Sequence, residues 1–277
     1  MKQCLAFAFL SSLLVLGDNA QAQKAVRLKD LPPAAQKTIQ AQLSGATLDD
    51  IEQSEEDGKV SYTANITRHG QERDFTVAAD GRLLSEEVTL EETPPPVQNT
   101  IKSQLREGTL DNIEKTFEET QISYEVDITR KDGVSRSFTV GLDGKLLSLQ
   151  ISLEEAPAPV KHTIRTRLAG GKLEDIYRTF EDGAVSYYVE FNREGKQRDF
   201  SVAPNGKLES THVFLSEISP AAQETIQNKI GKGRVVRIDK VFDRKQGVLP
   251  YEIEGLKDGR PFNFSVGPNG AFLGMDE

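Results

Sequence analysis

The sequence has no tryptophan, one cysteine and three histidines among its 277 residues, and these shortages exclude several kinds of chemistry. Because Cys4 lies in a segment predicted to be removed, we expect a mature chain without a disulfide, a cysteine-ligated zinc or a cysteine nucleophile. His69, His162 and His212 fall in a turn, on a helix and near a strand end, without the spacing of a catalytic zinc site. No Gly-x-Ser-x-Gly motif and no recurring buried carboxylate pair is present. The sequence therefore predicts that the protein is not an enzyme and uses no metal or cofactor.

The sequence also lacks a block of basic residues. Its net charge is −9, with 34 Lys and Arg against 43 Asp and Glu. This balance argues against nucleic acid and against an anionic membrane surface as partners. A basic or neutral protein partner would suit the charge, although acidity alone is equally typical of a soluble protein without such a partner.

Long apolar runs are absent except at the N-terminus, which has the features of a signal peptide. Lys2 supplies the positive start, residues 5–16 the apolar core, and Ala20-Gln21-Ala22 the small-x-small cleavage site. The core is too short to span a bilayer. We therefore expect residues 1–22 to be removed after Ala22 and the protein to be exported to the periplasm or the extracellular space. Because the segment carries Lys2 and Asp18, its removal leaves the net charge unchanged.

Four anchors recur in the same order along the chain, about 62 residues apart. They are a Thr-Ile pair, a tyrosine, a Phe-x-Val triplet and an Asp-Gly or Asn-Gly turn. The Thr-Ile pairs begin at Thr38, Thr100, Thr163 and Thr225, and the Phe-x-Val triplets at Phe75, Phe138, Phe200 and Phe264. This recurrence predicts four tandem repeats, at residues 28–90, 91–152, 153–215 and 216–277.

Each predicted repeat begins with proline and a short helix, followed by four strands. Apolar residues four positions apart, such as Val160, Ile164 and Leu168, mark one helical face. The connections between the strands are tight, which favours an antiparallel meander. The predicted fold is therefore α+β, with four repeats that each pack an N-terminal helix on a four-stranded antiparallel β-meander. A unit of this size buries a marginal core, so neighbouring units are expected to pack together or to continue one another's sheets.

The stretch from Phe180 to Phe191 predicts a hairpin whose register assigns side chains to the sheet faces. Asp182-Gly183 is suited to a two-residue turn, which sets Tyr177 opposite Tyr188 on the face away from the helix. Tyr188 then neighbours Ser201. The aromatic pair gives a large contact area, so this face is the predicted protein-binding site, although a pair that only stabilises the sheet, or is buried by a neighbouring unit, would look the same.

The same register sets like charges opposite each other in two other repeats. Glu114 faces Glu125, and Asp239 faces Glu252. Directly opposed like charges cost stability, and a basic partner, a cation or lysines of a neighbouring unit could relieve that cost. We therefore include Glu114 and Glu125 with Tyr177, Tyr188 and Ser201 in the predicted binding surface.

The order of the anchors resembles a known family. A Pro-x-x-x-x-Thr-Ile helix, a Glu-Asp-Gly-x-x-x-Tyr hairpin and an x-Phe-x-Val-x-x-Asp-Gly-x-Leu segment are similar to PepSY-like, β-lactamase-inhibitor-like domains, in four copies from about Leu28 onward. The resemblance implies an exported bacterial protein that binds or inhibits another protein, such as a peptidase or a β-lactamase. The last copy departs from the pattern, with a longer loop at 243–249 and Phe262 in place of an arginine found at Arg73, Arg136 and Arg198.

Three hypotheses of function follow. The first is an exported non-catalytic protein that binds a protein partner on its open sheet faces, as an inhibitor or regulator of an exported enzyme. The second is a structural or scaffolding protein of the bacterial cell envelope. The third is an enzyme whose site is assembled between the units. A binding protein should expose Tyr177 and Tyr188, whereas a scaffold would bury them.

Overall fold

The computed structural model describes residues 24–56, 59–118, 121–242, 250–257 and 260–275. The predicted signal peptide lies outside the described residues, as do the predicted turns at Asp57-Gly58 and Asp258-Gly259 and the loop at 243–249. The described residues contain eighteen strands and four α-helices. They divide into two compact units, unit 1 up to Glu87 and unit 2 from Val88 onward.

Unit 1 contains one helix and five strands in an antiparallel sheet of order β1-β2-β3-β4-β5. The elements are β1 (Lys24–Ala25), α1 (Pro33–Gln42), β2 (Ala46–Glu56), β3 (Lys59–Arg68), β4 (Gln71–Ala78) and β5 (Leu83–Glu87). Ile39 of α1 is fully buried and belongs to the same apolar cluster as Ile51 and Phe75 of the sheet. The helix therefore covers one face of the sheet.

Unit 2 contains three helices and the remaining strands. The helices are α2 (Pro95–Leu105), α3 (Ala158–Leu168) and α4 (Pro220–Ile230). The strands are β6 (Thr109–Phe117), β7 (Ile122–Thr129), β8 (Ser135–Gly141), β9 (Leu146–Gln150), β10 (Lys172–Glu181), β11 (Ala184–Arg193), β12 (Lys196–Val202), β13 (Leu208–His212), β14 (Arg234–Val241), β15 (Tyr251–Lys257), β16 (Arg260–Pro261), β17 (Phe264–Val266) and β18 (Phe272–Met275).

The strands of unit 2 form one continuous antiparallel sheet, so the predicted fold class of four repeats, each with its own four-stranded meander, is wrong. Strand β9 pairs with β10, where Tyr177 lies opposite Gln150, and β13 pairs with β14, where His212 lies opposite Asp239. The hairpins within each segment, meaning one helix and the strands that follow it, could be predicted from their tight turns. The pairing between segments has a different cause: an unpaired strand edge exposes N–H and C=O groups, and a neighbouring strand satisfies them.

The helices form where the sequence predicts them. Each has proline in its first turn, where the missing N–H costs nothing, and its apolar face lies on the sheet. The buried helix positions are those predicted from the four-residue spacing, with Leu43, Leu105 and Leu168 partly buried. The fully or nearly fully buried ones are Ala35, Ile39, Val97, Ile101, Val160, Ile164, Ala222, Ile226 and Ile230.

A hydrogen bond to a turn fixes each helix on its sheet. The hydroxyl of Thr163 on α3 donates to the carbonyl of Gly206 at 2.6 Å, in the turn between β12 and β13. The same contact joins Thr38 to Gly81, Thr100 to Gly144 and Thr225 to Gly270. The threonine of the recurring Thr-Ile pair is therefore a link between helix and sheet, while the isoleucine beside it fills the core.

The hairpin register predicted around Asp182-Gly183 is confirmed. Asp182 and Gly183 have φ of 46° and 78°, as a two-residue turn of this kind requires, and Tyr177 lies directly opposite Tyr188. Ile176 opposite Val189 lies on the helix side and is buried.

The apolar core of unit 2 is shared between segments. One cluster contains residues of both α2 and α3 together with strands β6 to β12, including Ile101, Phe138, Ile164 and Phe200. A separate cluster surrounds Ile226 of α4. The segments of α2 and α3 therefore have a common core, and the segment of α4 has its own.

The sequence places the recurring arginines opposite inward-facing apolar residues, Arg136 opposite Ile128 and Arg198 opposite Phe191, and predicts that their guanidinium groups reach water or helix-end carbonyls. The pairing is confirmed. The guanidinium groups bind carboxylates instead: Arg198 binds Glu217 at 2.6 Å, and Arg136 binds its counterpart Glu155 at the same distance. Each carboxylate ends a short 3-10 turn that precedes the next helix.

Candidate functional site

The face of the unit 2 sheet opposite the helices, here called the open face, carries polar and aromatic side chains in rows. Because side chains alternate along a strand, the neighbours of the buried Ile113, Ile176 and Phe200 point to this face. One row runs from Tyr177 to Tyr188, on to its predicted neighbour Ser201, and then to Ser210. A second row joins Glu114, Glu125, Thr139 and Ser148. The predicted register across the open face is therefore confirmed.

The two tyrosines differ in exposure. Tyr177 is only 4% exposed, whereas Tyr188 is half-buried. Burial raises the pKa of both phenols, and the carboxylates of Asp175 and Glu190 add to this effect at Tyr177. Tyr177 therefore presents little surface to a partner, and Tyr188 presents more.

Glu125 lies opposite Glu114 in a partly desolvated position. Burial raises the pKa of Glu125 to about 7, and the charges of Glu114 and Asp127 act in the same direction. The predicted like-charge pair is thus present, and at neutral pH Glu125 is partly protonated.

Glu190 on β11 is a second buried carboxyl group of the open face. Burial raises its pKa to about 7, with further contributions from Asp175, Asp199 and Glu174, while Arg237 acts in the opposite direction. It lies opposite Asp199 of β12. The pairing of β9 with β10 brings this group into the same sheet as Glu125.

A chain of side-chain hydrogen bonds crosses the junction between β9 and β10. The hydroxyl of Ser137 donates to Asp127, and the backbone N–H of Ser137 donates to the side-chain oxygen of Gln150 at 3.0 Å. The amide of Gln150 in turn donates to Asp175 at 2.5 Å. Two of the acidic groups of the open face are therefore held by neutral donors.

Arg237 on β14 carries a positive charge on this surface. Its guanidinium group binds Asp199 on β12 at 2.5 and 3.0 Å, and Asp239 at 2.5 and 2.9 Å. The contact between Arg237 and Asp199 spans β13, the strand that lies between theirs. On β13, burial and the charge of Arg237 lower the pKa of His212. Asp199 is only 7% exposed, so this ion pair is largely shielded from water.

Sequence reasoning found the tyrosine row and the glutamate pair but missed Glu190, Asp199 and Arg237. The alternation Arg237-x-Asp239 on one strand was a usable signal, because residues two apart share a face. The partner Asp199 could not be found that way, since it depends on the pairing of β13 with β14 across the segment boundary.

The arrangement offers charge and contact area for binding. Within the described ranges, no three His, Asp or Glu side chains are grouped so that they could hold a metal ion. The described residues include no helix that is both long and apolar enough to cross a membrane. The open face carries half-buried carboxylates and Tyr188, and the guanidinium group of Arg237 binds two of its acidic groups, Asp199 and Asp239.

The stability of unit 2 is expected to fall as the pH rises from about 5 to 8. A carboxyl group whose pKa is higher in the folded than in the unfolded state binds more protons when the protein is folded. Its stabilising effect is complete below the unfolded pKa. The effect is lost as the pH rises through the folded pKa, which is near 7 for Glu125 and Glu190. Glu125→Gln should therefore raise the free energy of unfolding at pH 8 by about 1–3 kcal/mol and change it little at pH 5. Urea unfolding at both pH values measures this.

Glu91→Gln is the control for that change, because it removes the same charge at an exposed position of a 3-10 turn. Its effect at the two pH values should be small and similar. An equal gain in the free energy of unfolding at pH 5 and pH 8 for Glu125→Gln would show that folding does not raise the pKa of this carboxyl group.

Comparison with known proteins gives a limited result. No protein-family model matches the chain, and no curated protein does. Solved structures with a similar arrangement include a DUF2874 family protein from Bacteroides ovatus, with 20% identity and a TM-score of 0.32 over 42% of this chain and 84% of that one. A BLIP-like protein from Bacteroides fragilis has 20% identity and a TM-score of 0.31 over 42% and 82% of the two chains.

A third similar structure, described as a periplasmic protein, comes from Bacteroides eggerthii. It has 18% identity and a TM-score of 0.34 over 43% of this chain and 88% of that one. These likenesses include a BLIP-like protein but do not support the PepSY part of the resemblance or four tandem copies. They indicate no enzyme family. At such low identity and TM-score they do not carry an argument about function.

Proposed function

We propose that this chain is an exported, non-catalytic protein that binds a basic protein partner through the open face of unit 2. The observation that carries the proposal is the direct opposition of Glu114 and Glu125 on a partly desolvated face that also holds Glu190. This face therefore carries several closely spaced acidic side chains, to which the cationic side chains of a partner are complementary in charge. Tyr188, half-buried in the adjacent row, adds contact area.

The proposed contact surface differs from the predicted one by the loss of Tyr177 and the addition of Glu190. Tyr177 is too deeply buried to contribute much area, so Tyr188, Ser201, Glu114, Glu125 and Glu190 form the surface. The sequence resemblance implies an exported enzyme, such as a peptidase or a β-lactamase, as the partner class. The finer role of inhibitor or regulator rests on that resemblance, and the predicted signal peptide supports export.

A structural role is the second candidate. The burial of Tyr177 at the junction of β9 and β10 is what we expected of a scaffold, although Tyr188 is only half-buried. The sheet that runs without a break from β6 to β18 also suits a structural role. In that case the carboxylates would keep the surface soluble and would have no specific partner.

Binding of residues 23–277 to immobilised envelope proteins of the source organism, at low and high salt, separates the two candidates. The double variant Glu114→Gln/Glu190→Gln should lower the affinity for a basic partner about tenfold or more at low salt, because two charges that face the partner are lost. The salt dependence of binding should also become weaker.

The matched control is Glu91→Gln/Glu224→Gln, which removes two exposed carboxylates of a 3-10 turn and of α4. It should leave the affinity unchanged. Equal retention of a protein by both double variants would contradict the proposed surface. If no protein is retained in a salt-sensitive manner, the structural role is favoured. A captured enzyme would then be assayed with and without the chain to test inhibition.

A further inference from the structure

A cleft at the C-terminal end of α3 is unlike the rest of this acidic protein. It lies on the helix side of the sheet, has a volume of about 210 Å³, and is lined by Arg167, Arg193 and Arg198. Phe191 and Phe200 form its apolar part. No Asp or Glu is among the residues that line it, although the chain as a whole carries a net charge of −9.

Two of these arginines are held in place by aromatic rings. The guanidinium carbon of Arg193 lies 5.5 Å from the centre of the Phe191 ring, and that of Arg198 lies 4.8 Å from the centre of the Phe214 ring. Stacking of this kind orients the planar group without neutralising its charge. The guanidinium groups of Arg193 and Arg198 are therefore held in fixed orientations.

The hydrogen-bonding capacity of the arginines is only partly used. Glu217 accepts two hydrogen bonds from the terminal nitrogens of Arg198, at 2.6 and 3.2 Å. The Nε of Arg198 is buried and has no hydrogen-bond partner among the described residues. A buried donor without an acceptor costs about 1–3 kcal/mol.

The side chains at this place differ from those of the preceding segment. Thr211 lies opposite Phe200, whereas the larger Leu149 lies opposite Phe138 and is packed into the core. On the helix, Arg167 corresponds to Gln104 of α2. The smaller strand residue opens space and the helix residue adds a positive charge, so both changes favour an anion here.

We propose that this cleft binds a small oxyanion, the phosphate or carboxylate group of a ligand, through Arg167, Arg193 and Arg198. Guanidinium groups match the geometry of both oxyanions and form hydrogen bonds about twice as strong as neutral ones. The volume suits a group of this size and is below that of a typical pocket for a drug-sized ligand. The arginines of the cleft lie on the helix side of the sheet, so anion binding there does not require the proposed partner.

The test is a titration of 15N-labelled residues 23–277 with inorganic phosphate and, separately, with sodium acetate, at an ionic strength held constant with chloride. We expect saturable shifts of the backbone amides at residues 166–169 and 193–198 with at least one of the two anions. Saturation by phosphate alone, by acetate alone or by both would assign the ligand group as phosphoryl, carboxylate or either.

Arg167→Gln and Arg193→Gln should each weaken that affinity about tenfold, as the loss of one charge-assisted hydrogen bond predicts. Arg167 is exposed on the helix, so its replacement should not disturb folding. Arg130→Gln, at the matching place in the preceding segment, should leave the affinity unchanged. The proposal is overturned if neither anion gives a saturable shift, or if the two cleft variants bind as tightly as the unaltered chain.

Discussion

Replacing Arg237 with methionine is expected to lower the free energy of unfolding at pH 7 by about 3–5 kcal/mol. The guanidinium group of Arg237 neutralises Asp199 and Asp239, whose side chains are only 9% and 14% exposed. Without it, two carboxylates remain close together on a largely desolvated face. Urea unfolding monitored by circular dichroism measures the loss.

The companion variants identify the cause of that loss. The double variant Arg237→Met/Asp199→Asn also removes the carboxylate charge of Asp199. It should recover part of the stability, because the cost comes from an uncompensated buried charge. A loss below about 1 kcal/mol would show instead that the pair behaves like an exposed ion pair.

The second large effect is expected for Gly206→Ala in the turn between β12 and β13. Gly206 has a φ of +81°, and an added Cβ would lie 2.7 Å from the carbonyl oxygen of Pro159 in the first turn of α3. The left-handed conformation costs about 1–2 kcal/mol, and the forced contact with backbone adds about 1–3 kcal/mol. We therefore expect a total loss of about 2–5 kcal/mol, measured by thermal or urea unfolding.

Gly195→Ala separates these two contributions. Gly195 has a similar φ of +73°, but an added Cβ there would meet no atom within 4 Å. Its replacement should cost only the conformational part, about 1–2 kcal/mol. Equal losses at the two glycines would mean that the turn moves away from α3 without cost, and that the hydrogen bond from Thr163 to Gly206 contributes little.

Local structure was predictable from the sequence because it depends on neighbours along the chain. The buried positions Val160 and Ile164 followed from helical spacing, and the Tyr177–Tyr188 pairing followed from the Asp182-Gly183 turn. The fold class was wrong because the pairing of β9 with β10 and of β13 with β14 joins strands separated by a whole helix. Nothing in the spacing of the anchors distinguishes a closed unit from a strand that continues a neighbouring sheet.

The candidate site was predictable to the same extent. Rows within one hairpin, such as Glu114 with Glu125, were identified correctly, whereas contacts across segment boundaries were not. Arg237 and Asp199 meet only because β12, β13 and β14 are consecutive strands of one sheet. The burial of Tyr177 has the same origin, since Gln150 of the preceding segment lies beside it. Exposure, which decides whether a side chain can contact a partner, depends on this wider packing.

The apolar cluster that joins α2 and α3 has a consequence for how unit 2 loses its structure. Because Ile101 and Ile164 belong to one cluster with the strands between them, neither segment can detach without exposing apolar surface of the other. Their unfolding is therefore coupled and should occur as one cooperative step. The segment of α4, with its separate cluster and its hydrogen-bonded attachment through β13 and β14, is the part of unit 2 that can open first while the shared core stays closed.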